Sequence, residues 1–213
     1  EVVELEGRLG FVCERVSGSS LAERVKRRPW ATAGLGRLLA RLHQRVHLAP
    51  VPPGLPRLEE RLAGNIRDAR KLLGKDVDRV LSGLEALAGS GVICHFDFHP
   101  GNVLEAGDRV YIIDWLGAGV GPPAMDVART LLLLESPFLP PGFSPLLRPV
   151  IWCLRQVLAS AYLAAYLALS GLLRAEVDHW RIPVAAARLS EEIPGEREWL
   201  LGIVRAGAFS RAP

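Results

Sequence analysis

The chain has 213 residues, enough for one domain or slightly more, with 49% hydrophobic and 23% charged side chains, a globular composition that excludes a disordered or fibrous protein. Three well-separated cysteines, Cys13, Cys94 and Cys153, form no CxxC pair, which argues against a disulfide framework or zinc knuckle and for a reducing, cytoplasmic compartment. The formal net charge is +3, and only Lys26, Lys71 and Lys75 among the 26 basic residues are lysines; the arginines are scattered, unlike the basic stripe of a nucleic-acid binder. The opening Glu1-Val2-Val3-Glu4 is not a signal peptide, and without an initial methionine the chain reads as a fragment or processed product.

Residues 2–16 read as two strands around a Gly7–Gly10 turn region. Ser20-Leu21-Ala22-Glu23 is a capping box, predicting a short helix that stops before Pro29. Leu35, Leu38, Leu39, Leu42 and Val46 recur at helical spacing and predict a helix over about 31–47. Prolines 50, 52, 53 and 56 then mark a loop, followed by polar helical segments near 57–74 and 76–88 that meet at Gly74. The charge-rich stretch 57–79 reads as a solvated helix pair and not as a binding patch.

Val92-Ile93-Cys94 is a short strand, and Asn102–Leu104 with Val110–Ile113 flank the Gly107-Asp108 turn of a hairpin. Gly117, Gly119, Gly121, Pro122 and Pro123 predict an irregular loop, and helices resume near 124–135, 147–173, 184–191 and 195–206. Val157–Leu173 is 17 residues without a charge, short of the about 20 that a membrane span needs, so the reading is a buried core helix and no membrane association.

The densest cluster of chemical side chains is His95-Phe96-Asp97-Phe98-His99-Pro100-Gly101-Asn102, with Ile113-Asp114-Trp115 downstream. Folding the hairpin about residue 108 brings Asn102 and Asp114 together across its arms, roughly 5–8 Å apart. An amide oxygen and a carboxylate held that way suit Mg²⁺, and Asp97, set apart from them, is free to accept a proton from a hydroxyl. His95, Asp97 and His99 as metal ligands are the alternative, although a zinc hydrolase needs further ligands and Pro100-Gly101 breaks the strand at once. His43 reads as a core or capping histidine.

The pattern His95-x-Asp97-x4-Asn102 with a later Asp114 resembles a kinase catalytic loop and metal-binding aspartate. The forms HFDFHPGNVL and IIDW…GPPAMDVA, with ERVSGSSL and LARLHQ upstream, are similar to the aminoglycoside phosphotransferase and choline kinase family of small-molecule kinases. That resemblance implies an α+β, protein-kinase-like fold: residues 1–16 as the remnant of an N-terminal lobe and hinge, and 17–213 as a helical catalytic lobe. It also implies Asp97 as catalytic base, Asn102 and Asp114 as Mg²⁺ ligands, and His95 and Asp126 as braces of the loop. Glu14 to Val16, Leu104 and Ile113 would meet the adenine of ATP. The implied activity is transfer of the γ-phosphoryl group to a hydroxyl of a small molecule.

Three features depart from the family's pattern. Phe96 stands where glycine is usual and Phe98 where leucine is usual. A glycine-containing phosphate loop and a strand lysine are not found in these residues, so a truncated or degenerate binding module of the same fold is the alternative to an enzyme. Residues 115–213 carry 8 acidic and 9 basic side chains, a balance that leans away from a polycationic acceptor and toward another alcohol.

Overall fold

The computed structural model describes residues 2–89, 91–139 and 145–207. Strands β1 (Val2–Leu5) and β2 (Arg8–Phe11) form an antiparallel hairpin that turns at Glu6-Gly7, both with positive φ. Strand β3 (Ser19–Ser20) joins the predicted hairpin β5 (Val103–Ala106) and β6 (Arg109–Ile112) in a separate sheet of order β3-β5-β6. Helix α1 (Leu21–Arg27) starts at the capping box: Ser20 Oγ accepts the Glu23 N–H and Glu23 accepts that of Ser20. It stops before Pro29, as the sequence requires.

Helix α2 (Thr32–His47) buries Leu35, Leu39, Leu42 and Val46 on one face. Each buried leucine contributes roughly 1.5–3 kcal/mol, which outweighs the cost of about 1 kcal/mol for each of the helix's two glycines, Gly34 and Gly36. The charge-rich stretch forms α3 (Leu58–Asp68), α4 (Arg70–Leu73) and α5 (Asp76–Leu87), with Gly74 at φ 56° ending α4. Helix α6 (Pro123–Glu135) is buried along nearly its whole length and joins α2, α7 (Arg148–Ser170) and α8 (Arg174–Arg188) in one core, which α9 (Arg197–Ala206) completes.

Two expectations about the elements need correction. The glycine-rich segment after Asp114 is not wholly irregular: Gly119–Gly121 forms β7, antiparallel to β4 (Val92–Cys94). A Cβ at Gly119 would stand 2.7 Å from Leu58 Cδ2 and from the Pro56 carbonyl, so these glycines let α3 and its lead-in lie directly on the strand pair. Helix α8 begins at 174 rather than 184 and runs through Pro183; the buried Val177, Trp180, Ile182 and Val184 hold it against the core despite the missing N–H.

Helix α7 is long and apolar enough to cross a membrane, yet it is only half a core helix. Leu158, Ala159, Tyr162, Leu163 and Tyr166 are buried, while Trp152, Val157 and Leu169 are exposed. Its buried tyrosines hydrogen-bond to histidines of α2, which commits that face to the interior.

Candidate active site

Helix α6 places Asp126 at the centre of a buried polar network. Its Oδ2 accepts the backbone N–H of His95 at 2.7 Å, and its Oδ1 accepts that of Phe96 at 2.9 Å. His43 and His47, one turn apart on α2, reach the same Oδ2 through Nε2 at 3.0 and 3.2 Å. A carboxylate only accepts, so each Nε2 carries the proton and each Nδ1 accepts from a tyrosine: Tyr162 for His43 and Tyr166 for His47.

Burial, with His47 next to it, lowers the pKa of His43 to about 4, so its imidazole is neutral at pH 7. Burial alone pushes the Asp126 carboxyl up, but the positive charge of His43 in the acid range where this carboxyl titrates, and the hydrogen bonds from both histidines, outweigh it and hold the group well below the ordinary carboxylate range. Ligand atoms of His43, His47 and Asp126 lie within 4.8 Å of one another. With the carboxylate already accepting four N–H groups and both Nδ1 atoms satisfied, the cluster is a closed hydrogen-bond network that braces the loop.

That brace carries the loop holding Asp97. His95 is fully buried; its Nε2 meets the Ile113 carbonyl at 2.9 Å and its Nδ1 accepts the Asp97 N–H at 3.2 Å, which defines its tautomer. The Asn102 amide donates to both the Asp97 carbonyl at 2.9 Å and the Asp97 Oδ2 at 3.0 Å. The Ile113 N–H in turn donates to the Asn102 carbonyl at 3.0 Å, so Asp114 directly follows the residue facing Asn102. Asp114 has φ 65° and ψ 61°, a left-handed conformation that breaks the line of β6, and it is exposed.

Asp97 and Asp114 line one cavity of about 360 Å³, together with Arg61, Asn65, Phe96, Leu116, Gly117, Arg129 and Glu191. Asn102 is buried and is not among the residues lining that cavity; its NH₂ is spent on Asp97, and its Oδ1 together with the Asp114 carboxylate would make a hard oxygen donor set of the kind that suits Mg²⁺. The zinc-type alternative does not assemble: the His95 nitrogens are occupied, and His99 Nδ1 accepts the Gly101 N–H while its Nε2 lies 3.7 Å from Asp97.

The residues expected near adenine fall outside this cavity's lining. Glu14 is exposed and Val16 partly buried on the irregular segment leading to β3. Leu104 lies on β5 opposite Ser20, and Ile113 follows β6.

Phe96 has φ 63°, a conformation that suits the glycine the resemblance leads one to expect there and strains a side chain. Here the ring is buried against two guanidinium groups, with Arg61 Cζ 4.9 Å and Arg129 Cζ 5.4 Å from its centroid. The reading of 57–79 as merely solvated therefore fails at α3, where Arg61 and Asn65 line the cavity. The available signal was their position beside the buried stripe Leu58, Leu62 and Ile66. Arg129 and Glu191, which form an ion pair at 2.7 Å, were also unforeseen.

The family model of the phosphotransferase enzyme family matches residues 1–180. Among solved structures, a thermostable mutant of the aminoglycoside phosphotransferase APH(4)-Ia in its apo form is similar over 92% of this chain and 72% of its own, at 18% identity and a TM-score of 0.59. The choline kinase LicA from Streptococcus pneumoniae is similar over 97% of this chain and 74% of its own, at 15% identity and a TM-score of 0.53. A glucosamine kinase is 21% identical with a TM-score of 0.47, and this chain spans about half (50%) of its length. No curated protein matches the chain in sequence. The match of the family model over most of its length places this chain in the phosphotransferase enzyme family, with a protein-kinase-like fold.

Proposed function

We propose that the chain transfers the γ-phosphoryl group of ATP to a hydroxyl of a small molecule. The observation that carries this reading is the Asn102 amide bound to Asp97, with Asp114 on the facing hairpin arm and both carboxylates lining one cavity. The Asp97 backbone is held by His95, and its Oδ2 by Asn102, which leaves Oδ1 for the acceptor hydroxyl. In the transfer the acceptor oxygen attacks the γ-phosphorus, the bond to the β,γ-bridging oxygen breaks, ADP leaves, and Asp97 takes the hydroxyl proton. Asn102 and Asp114 would hold Mg²⁺, which supplies charge neutralisation at the phosphates.

Glu14 to Val16, Leu104 and Ile113 are assigned to the adenine side, supported by the contact of β3 with β5. Residues 1–16 belong in this reading to an N-terminal lobe and 17–213 to the catalytic lobe; the β1–β2 hairpin pairs only within itself among the described strands. A binding module without efficient chemistry is the second reading, favoured by the lysines: Lys26 lies on α1, Lys71 on α4 and Lys75 at the start of α5, and none lines the cavity.

The test is ADP release from MgATP in the presence of an alcohol panel, alongside thermal unfolding with and without MgATP. Acceptor-dependent ADP release supports the enzyme. A thermal shift without release supports the binding module, and no shift in the folded chain overturns both.

A further inference from the structure

Arg61 and Asn65 lie one turn apart on α3 and line the same cavity as Asp97 and Asp114. Arg61 is half-buried; its guanidinium donates to the Gly117 carbonyl at 2.5 Å and lies over the Phe96 ring. Arg129 covers the same ring, but its charge is matched by Glu191 at 2.7 Å and it also donates to the Phe96 carbonyl. Among the described residues Arg61 forms no ion pair. Burial, and after it the charge of Arg129, lowers its pKa, while the charges of Asp126 and Glu191 act the other way. A guanidinium stays protonated throughout.

A partly desolvated cation without a paired carboxylate is costly until an anion reaches it. The cavity's other carboxylates are committed: Glu191 to Arg129, and on the phosphotransferase reading Asp114 to Mg²⁺ and Asp97 to the hydroxyl. Arg61 is therefore the lining cation left for an anionic group of a ligand. The face of Phe96 is likewise taken by protein guanidinium groups, so it is not free to receive a quaternary ammonium.

Resting on the phosphotransferase reading, we propose that the acceptor is an alcohol bearing an anionic oxygen group, a carboxylate or a phosphate, which Arg61 binds with Asn65 beside it. The forked donor geometry of arginine suits either anion. Phe96 acts as the platform that holds Arg61 in place.

Calorimetric titration of the whole chain with glycerate, glycerol 3-phosphate, glycerol and choline tests this, with Mg²⁺ and a non-hydrolysable ATP analogue present. At least one of the two anions should bind ten-fold or more tightly than glycerol, and choline most weakly. Comparison of glycerate with glycerol 3-phosphate tells carboxylate from phosphate. Arg61→Gln should abolish the preference while analogue affinity stays within two-fold, and Arg61→Lys should retain part of it with an unchanged melting temperature. Equal binding of anions and glycerol, preferred binding of choline, an anion preference that survives in Arg61→Gln, or a matching loss of analogue affinity in that variant overturns the proposal. Absence of analogue binding overturns the phosphotransferase reading instead, and the same titrations without nucleotide still decide whether Arg61 selects anions.

Discussion

The carboxylate of Asp126 holds the backbone N–H of His95 at 2.7 Å, so a buried side chain on α6 determines the course of the loop that carries Asp97. Because the same carboxylate takes His43, His47 and Phe96, its charge is shared among four donors. Asp126→Asn removes that charge and turns an acceptor into a donor facing N–H groups. A loss of about 3–5 kcal/mol in unfolding free energy is expected, read from the urea midpoint. A loss under about 1 kcal/mol would show that the brace is not structural.

The pH dependence of stability follows from His43. Its folded pKa of about 4 lies below the ordinary 6.5, so the unfolded chain binds the proton more readily. The stabilisation is therefore complete above pH 6.5 and is lost as pH falls toward 4, by roughly 3 kcal/mol in all. Asp126, whose carboxyl is depressed below its ordinary 3.8, adds a further loss only below about pH 4. Urea midpoints between pH 7.5 and 4.5 check this, and His43→Gln should flatten the slope across that window.

Asp97→Asn should lower acceptor-dependent ADP release by about 10²–10⁴-fold, the range for a lost general base. Affinity for the nucleotide should be unchanged, because the substitution removes a proton acceptor and not a proposed metal ligand. Equal loss of binding and turnover would assign Asp97 a different role.

MgATP at about 100 times its Kd should add about 2.7 kcal/mol to stability, or roughly 5–10 °C in Tm for a chain of this size. Asp114→Asn or removal of Mg²⁺ by chelation should abolish most of that shift. A shift that persists in both would separate nucleotide binding from the Asn102–Asp114 pair.

Two glycines of α2 should respond to the same substitution with opposite signs. A Cβ at Gly36 would stand 2.7 Å from the Leu158 carbonyl and 2.9 Å from Ala161 Cβ, whereas at Gly34 nothing lies within 4 Å. Gly36→Ala should destabilise by about 1–3 kcal/mol through forced separation of α2 and α7. Gly34→Ala, exposed on the same helix, should stabilise by up to about 1 kcal/mol. Thermal unfolding of both variants checks the contact.

Local chemistry alone determined a good part of this protein. The Ser20–Glu23 capping box, the leucine spacing of α2 and the Gly107-Asp108 turn each rest on neighbours in the chain, and each formed where the sequence indicates. The catalytic-loop motif was legible for the same reason: Asp97, Asn102 and Asp114 sit within 18 residues and a hairpin joins them. Tertiary structure decided what depends on distant segments. Glycines 119 and 121 became a strand because α3 lies against them, and α8 ran through Pro183 because its apolar face had a core to enter. Arg61 became part of the cavity through the packing of α3, over 50 positions before Asp114 in the chain. No periodicity encodes such a meeting, because it depends on how whole helices pack against one another rather than on the residues beside it.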